Sequence, residues 1–496
     1  MDVRPEGLDP LTGVGQGHNE LSQPLSFERH GIDRIPEEKR NSTPWTWFII
    51  CAGSSFTLGS VVYGWLPIAF GLGFWASITS MTAGIFVGLI PIAPLIVIGS
   101  RTATNNSTSS GAHFGVRGRL IGSGIGLALV LLGMVITIWS SGQVLVAGAS
   151  RLFDTPTGNG ALALAYLALT ALSALIGVYG YHLLVRTTLV LTVFGTITVL
   201  LMPLAVAGDL NVGYQGGNYI LGSFTATWLL SALSVGVGGV MTAATVVGDW
   251  SRYVSSRRYP PRRFLPIALL AVVVSYVIPM GIGTLVTTAF AHPDAPFPQS
   301  LITAVPGWYA VLLLPMALLG GLGWSAGMVY SAGLDLSAIA TRLTRAGSTT
   351  IMSVVGLVIV LGGSLLWNAS DALSAISLIL LAVSAPWAAI IGVGYLRHRG
   401  QYLQDDLQVF NRRERGGRYW YTGGWNLAAV AAWVSGCTFG LLAVQTTLYV
   451  GPLANIAGGV DVSFAGSFVI AGVLYPILEA LLARVSRPVV TAPEGS

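Results

Sequence analysis

The sequence predicts an all-α polytopic membrane protein with twelve transmembrane helices, and three observations predict it. Of 496 residues, 53% are hydrophobic and only 9% charged, where globular domains carry about 25% charged residues. Mean hydropathy is +0.71, and the apolar residues gather into runs of roughly 20, enough to cross a bilayer core. The basic residues alternate between successive connecting segments, as they do when one side of a membrane is favoured. The same composition excludes a disordered chain, which needs low hydrophobicity and high net charge. It excludes collagen too, because the 63 glycines follow no three-residue period.

The chain opens on a polar tail, residues 1–43, with acids and bases interspersed. It lacks the short apolar core of a cleaved signal peptide, so the first helix is expected to act as its own insertion signal. Apolar runs broken by charge, Gly/Pro or polar clusters then follow. The first six are Trp45–Gly71, Phe74–Gly99, Leu120–Ala149, Ala161–Gly180, Leu183–Ala207 and Ser223–Val247. The second six are Phe264–Ala289, Trp308–Ala340, Ile351–Trp367, Ala372–Leu396, Trp425–Val450 and Ser463–Leu482.

With the N-terminus placed in the cytoplasm, 24 of the 25 basic residues fall on cytoplasmic segments, leaving only Arg151 outside. A wrong span count would scramble that partition. The net charge of +5 is therefore expected to reflect topology, with no nucleic-acid partner. The reading is a multi-pass protein of the cytoplasmic membrane with both termini inside.

Small counts remove other classes. Lys39 is the sole lysine and precedes Arg40, so the Gly-Lys-Ser/Thr of a phosphate-binding loop cannot occur. Cys51 and Cys437 both lie in apolar runs, too few for a disulfide framework. The six histidines and two cysteines make no HExxH or CxxC, so no zinc site is legible. No nucleophile–base or metal constellation lies within the spans, and an enzyme is not expected.

Two spans carry unusual sequence at mid-membrane. The first holds Ala52-Gly53-Ser54-Ser55-Phe56-Thr57-Leu58-Gly59-Ser60, and the sixth holds Ser234 to Thr242 with Gly236, Gly238 and Gly239. Glycine in a helix interior costs about 1 kcal/mol relative to alanine. Irregular backbone at membrane depth is tolerated only where it meets protein or a cavity. Such clusters also serve close helix packing. Occurring as a pair, five spans apart and in opposite directions, they predict interrupted helices around a central transport site.

Four stretches resemble the purine–cytosine permeases, the nucleobase–cation symporters of family one. They are Glu28 through Pro36 ending at Arg40, Gly248-Asp249-Trp250-Ser251-Arg252-Tyr253, Pro386 with Gly394 to Tyr402, and Tyr419 to Asn426. Each alone is short; their order among twelve spans makes the set specific. The resemblance implies the LeuT-like fold, with helices one to five and six to ten as inverted repeats and two helices appended. Repeat boundaries are expected at 44–207 and 208–400, a cytoplasmic loop at 401–424, helices eleven and twelve at 425–485, and a tail at 486–496. The implied function is secondary active import of a nucleobase, cytosine or a purine, or a related heterocycle, by cation symport with alternating access. Hydantoin, allantoin or a vitamin-type ring stays open as substrate, and so does an amino-acid permease of the same fold. The functional unit is expected to be a monomer in the bilayer, with no cofactor beyond Na⁺ or H⁺ as coupling ion.

Trp139 and Gln143 lie four apart on the third helix and so share one face. The family uses Trp and Gln at this spacing, which suits a flat polar ring: the indole stacks while the amide both donates and accepts. The resemblance further implies substrate contacts at Ser54, Ser55 and Phe56 of the first break, Gly239 and Val240 of the sixth helix, and Ser331 of the eighth. Val240 stands where relatives carry a second aromatic, leaving that face of the ring aliphatic or covered by Phe56. It implies a Na⁺ site from Gly53 and Phe56 with Leu322 and Ser325, although Ala326 replaces a neighbouring hydroxyl. No acid lies at mid-span in helices one, three, six or eight; Asp249 and Asp335 sit near cytoplasmic ends, where structural or gating roles are expected.

Overall fold

The structure is a computed structural model and describes residues 33–179, 181–340, 342–366, 369–456 and 461–485. The lead-in residues Glu28 to Ile32, Gly180 and Trp367 at two expected span ends, and the 486–496 tail lie outside them. Each of the twelve expected segments contains a helix. The first span is α1 (Pro44–Ser55) and α2 (Leu58–Ala69), followed by α3 (Phe74–Thr102). Two short helices, α4 (Asn106–Ser109) and α5 (Gly111–Phe114), precede α6 (Arg119–Phe153), α7 (Asn159–Tyr179) and α8 (Tyr181–Ala205). The sixth span comprises α9 (Phe224–Ser231), a π-helical stretch Ala232–Val237, α10 (Gly238–Met241) and α11 (Val246–Ser251). Then come α12 (Pro261–Thr287), the short α13 (Phe297–Ala304), α14 (Gly307–Ile339), α15 (Arg345–Leu366), α16 (Ala369–Arg397), α17 (Leu427–Ala443) and α18 (Ser463–Val485). Among the described residues nine helices are long and apolar enough to span, or ten with α1 and α2 as one bent span. Shorter apolar helices, Val193–Ala205 and Leu427–Ala443, stand at the fifth and eleventh positions.

The first span breaks where its hydroxyls allow it. Thr43 caps α1 by accepting from the Thr46 N–H, with Pro44 in the first turn. At the other end the Ser54 and Ser55 hydroxyls both return to the Cys51 carbonyl, at 3.1 and 3.0 Å. Phe56 then leaves helical geometry (φ −80°, ψ 69°), and extended Thr57 caps α2. The two halves meet at 62°.

The sixth span opens elsewhere than its glycines predict. Backbone stays helical through Met241, and the interruption is a turn at 242–245. The glycines instead allow close approach: a Cβ on Gly236 would lie 2.6 Å from the Gly84 Cα, so α3 meets this span backbone to backbone. At the turn, Asn106 Nδ2 of α4 donates to the Ala244 carbonyl at 2.7 Å. A side chain thus replaces a lost helical bond, as buried backbone requires.

Two further packings frame the centre. Cβ positions on Gly126, Gly133 and Gly148 of α6 would meet Asp335, Met328 and Leu314 of α14, while Gly321 would meet Ser141. This is an antiparallel register held along both helices by small residues. Loops around 40, 100, 254 and 405 gather at one end, which we call the basic end. There Arg40, 3% exposed, donates to the Arg252 carbonyl at 2.9 Å, the Val254 carbonyl at 2.6 Å and the Ser100 carbonyl. It also pairs with Glu37 at 2.9 Å.

Candidate functional site

A small cavity lies where the broken spans meet. Thr57, Gly59, Ser60 and Tyr63 line it from the first span, and Gly133, Ile136 and Thr137 from α6. Gly239 and Thr242 close it from the sixth span, Tyr276 and Met280 from α12, and Trp324 from α14. Its volume is about 20 Å³, room for about one water, whereas sites for drug-sized ligands enclose roughly 300–1,000 Å³. A ligand of that size therefore enters only when the walls part.

The chemistry of the wall is polar and neutral. Thr137 donates its hydroxyl to the Gly133 carbonyl at 2.9 Å, and Thr242 donates to the Gly239 carbonyl at 2.6 Å. With their protons committed, both hydroxyl oxygens are left as acceptors. The Tyr63 and Tyr276 hydroxyls are buried and make no well-formed hydrogen bond, with the Ser377 side chain beside Tyr63 and that of Thr242 beside Tyr276. No charged side chain stands among the lining residues.

Of the residues the sequence nominated for substrate, Gly239 lines this cavity. Phe56 is buried at the break, and its carbonyl faces Gly195 of α8, 2.6 Å from where a Cβ would stand. Ser54 and Ser55 spend their hydroxyls on Cys51. Val240 packs on Gly88 of α3. Ser331 donates to Asp249 at 2.6 Å, joining α14 to α11. Trp139 is half-buried and packs against both the cluster holding Tyr63 and Tyr276 and the one holding Met328. Gln143 donates to the Tyr166 hydroxyl at 3.1 Å and accepts from Gln299 at 2.6 Å.

The cation candidates meet separate partners. Ser325 shares a 2.5 Å hydroxyl contact with Ser173 of α7 and donates to the Gly321 carbonyl. Gly53 is buried in the last turn of α1, and Leu322 packs against the Met328 cluster. The α14 residue that comes up to the break is Gly320, whose Cβ position lies 4.0 Å from Thr57. Among the described residues no group of three or more His, Cys, Asp or Glu could hold a metal.

The sequence did not single out Tyr63, Thr137, Tyr276, Met280 or Trp324. Thr57 and Ser60 did fall inside the flagged cluster. Neutral hydroxyl side chains within apolar spans were the available signal, since each needs a partner there.

Residues 34–466 match the family model described as permease for cytosine/purines, uracil, thiamine, allantoin. The chain belongs to this family. It is a multi-pass membrane permease, not an enzyme. YxlA of Bacillus subtilis (strain 168), assigned by name to the purine-cytosine permeases, is 25% identical over 471 residues, covering 92% of this permease and 96% of that protein. Among solved structures, Mhp1, a nucleobase-cation-symport-1 family transporter, in a closed conformation with bromovinylhydantoin bound, superposes with TM-score 0.71. The identity is 18%, over 93% of this chain and 97% of that one. Inward-facing Mhp1 gives 0.67 at 18% identity, over 93% and 95% of the two chains. A Na⁺-coupled sialic acid symporter in its outward-open state gives 0.57 at 13% identity, over 94% and 93%. These likenesses show the LeuT-like fold expected from the sequence.

Proposed function

We infer that this permease imports a nucleobase, cytosine or a purine, or a related heterocycle such as a hydantoin, by cation symport with alternating access. The observation that carries this reading is the closed cavity between the two interrupted spans, walled by neutral hydroxyls and free of charged side chains. Such a wall suits an uncharged ring with polar edges, because a buried unpaired charge is far more costly than a hydrogen-bonded amide. An amino acid would bring a carboxylate to a broken-helix N-terminus. Here Thr57 already caps that terminus, which disfavours the amino-acid reading.

Trp139, on α6 with the cavity residues Ile136 and Thr137, would cover a ring once α6 and the sixth span part. Gln143 would contact substrate only by exchanging Tyr166 or Gln299 for it. The proposal places the permease in the cytoplasmic membrane with cytoplasmic termini and the monomer as working unit.

The test is a binding panel of cytosine, purines, uracil, allantoin and hydantoins on purified protein with and without Na⁺. Vesicle uptake of labelled cytosine in competition with an amino-acid mixture accompanies it. Concentrative uptake that collapses with the ion gradient is expected, and Na⁺ dependence chooses between Na⁺ and H⁺. Downhill flux alone, or competition by amino acids, overturns the reading.

A further inference from the structure

Tyr63 on α2 and Tyr276 on α12 are 7% and 6% exposed, and both line the central cavity. Neither hydroxyl makes a well-formed hydrogen bond, although the Ser377 side chain stands beside Tyr63 and that of Thr242 beside Tyr276. Buried polar groups are almost always paired, and an orphan calls for an explanation such as a ligand. The two threonines on the same wall are in the opposite condition, since Thr137 and Thr242 have given their protons to carbonyls of their own helices. Among the residues that line the cavity, the tyrosines therefore bring two loosely held donors and the threonines bring acceptor lone pairs.

We propose that Tyr63 and Tyr276 are specificity-determining residues that donate to carbonyl oxygens or unprotonated nitrogens of a heterocyclic substrate, while Thr137 and Thr242 accept from its N–H groups. The assignment rests on the substrate class inferred above and deepens it. It selects rings that alternate C=O and N–H along an edge. Gly64, next to Tyr63, sets the spacing: a Cβ there would stand 1.8 Å from the Met280 carbonyl, so α2 and α12 lie backbone to backbone. That approach brings both phenols into one small space.

The experiment compares wild type, Tyr63→Phe, Tyr276→Phe and the double variant, in detergent, for binding of oxo rings and their 2-thio analogues, whose sulfur is the poorer acceptor. Each Phe variant is expected to bind the oxo ring about tenfold more weakly, the loss of one hydrogen bond. Wild type is expected to prefer the oxo ring over the thio analogue, with the double variant losing that preference. Ligand-free melting temperature separates recognition from scaffolding. It should hold or rise in the Phe variants, because a buried hydroxyl without a well-formed hydrogen bond has been removed. Phe variants with wild-type affinity and selectivity, or with a lowered ligand-free melting temperature, overturn the assignment alone. A wild type that binds none of the rings overturns the substrate reading and this assignment with it.

Discussion

The Ser331 hydroxyl donates a 2.6 Å hydrogen bond to Oδ2 of Asp249, joining α14 to α11 inside the bundle. Both residues are buried. The bond crosses from the eighth span to the sixth. Ser331 is thereby held to Asp249, away from the cavity lining.

Ser331→Ala should lower stability by about 1–3 kcal/mol, the cost of leaving a buried carboxyl short of a donor. Ring affinity should change little. Thermal unfolding and equilibrium binding on one preparation check both; a large affinity loss at unchanged stability would return Ser331 to the substrate site.

Gly64→Ala should destabilise the fold by about 1–3 kcal/mol through overpacking, because the added methyl meets the Met280 carbonyl at 1.8 Å. Gly124 offers the control. Nothing lies within 4 Å of its Cβ position, so Gly124→Ala should be neutral or stabilising by up to about 1 kcal/mol. Detergent melts of the two variants side by side decide it.

His113, in α5 between two spans, is buried and accepts or donates at 3.1 Å with the Tyr402 hydroxyl. Burial and the facing His398 ring push its pKa down to about 3. An unfolded histidine titrates near about 6.5. Between those values the unfolded chain binds a proton that the folded chain does not. The stabilisation is therefore complete above about pH 6.5 and is lost progressively towards about pH 3, by up to about 1.4 kcal/mol per pH unit. Wild type should lose more melting temperature than His113→Gln between about pH 7.5 and about pH 5. Equal losses would mean that His113 does not set the slope.

Trp139→Ala should abolish ring binding with insertion intact, as expected of a stacking face. Gln143→Leu should alter which ring edges are accepted. It should also destabilise modestly, by about 1 kcal/mol, since the Tyr166 hydroxyl and Gln299 each lose a partner. Unaltered affinity in Trp139→Ala removes the stacking hypothesis, whatever the cavity hydroxyls do.

The first break was legible because Gly53, Ser54 and Ser55 are poor helix formers in a place where loose backbone is costly. The sixth was legible as an interruption and misplaced by a few residues. Gly236 and Gly238 read as breakers, yet a glycine is equally suited to letting α3 approach. The true turn at Thr242, Ala243, Ala244 and Thr245 contains no glycine or proline. Tyr63 and Tyr276 carried the signal of a hydroxyl within an apolar span, but not its direction, because such a tyrosine reads the same whichever way it faces.

The chain alone determined that apolar segments dominate it, roughly where each lies, and that the first cannot run straight, because hydropathy and propensity are local properties. Only the tertiary structure decided where the sixth span opens and which hydroxyls share one cavity. Asn106 reaches the Ala244 carbonyl from 138 positions away, and the spacing of Tyr63 from Tyr276 depends on Gly64 meeting Met280. Such contacts arise only once distant helices are packed together, so no window along the chain contains them.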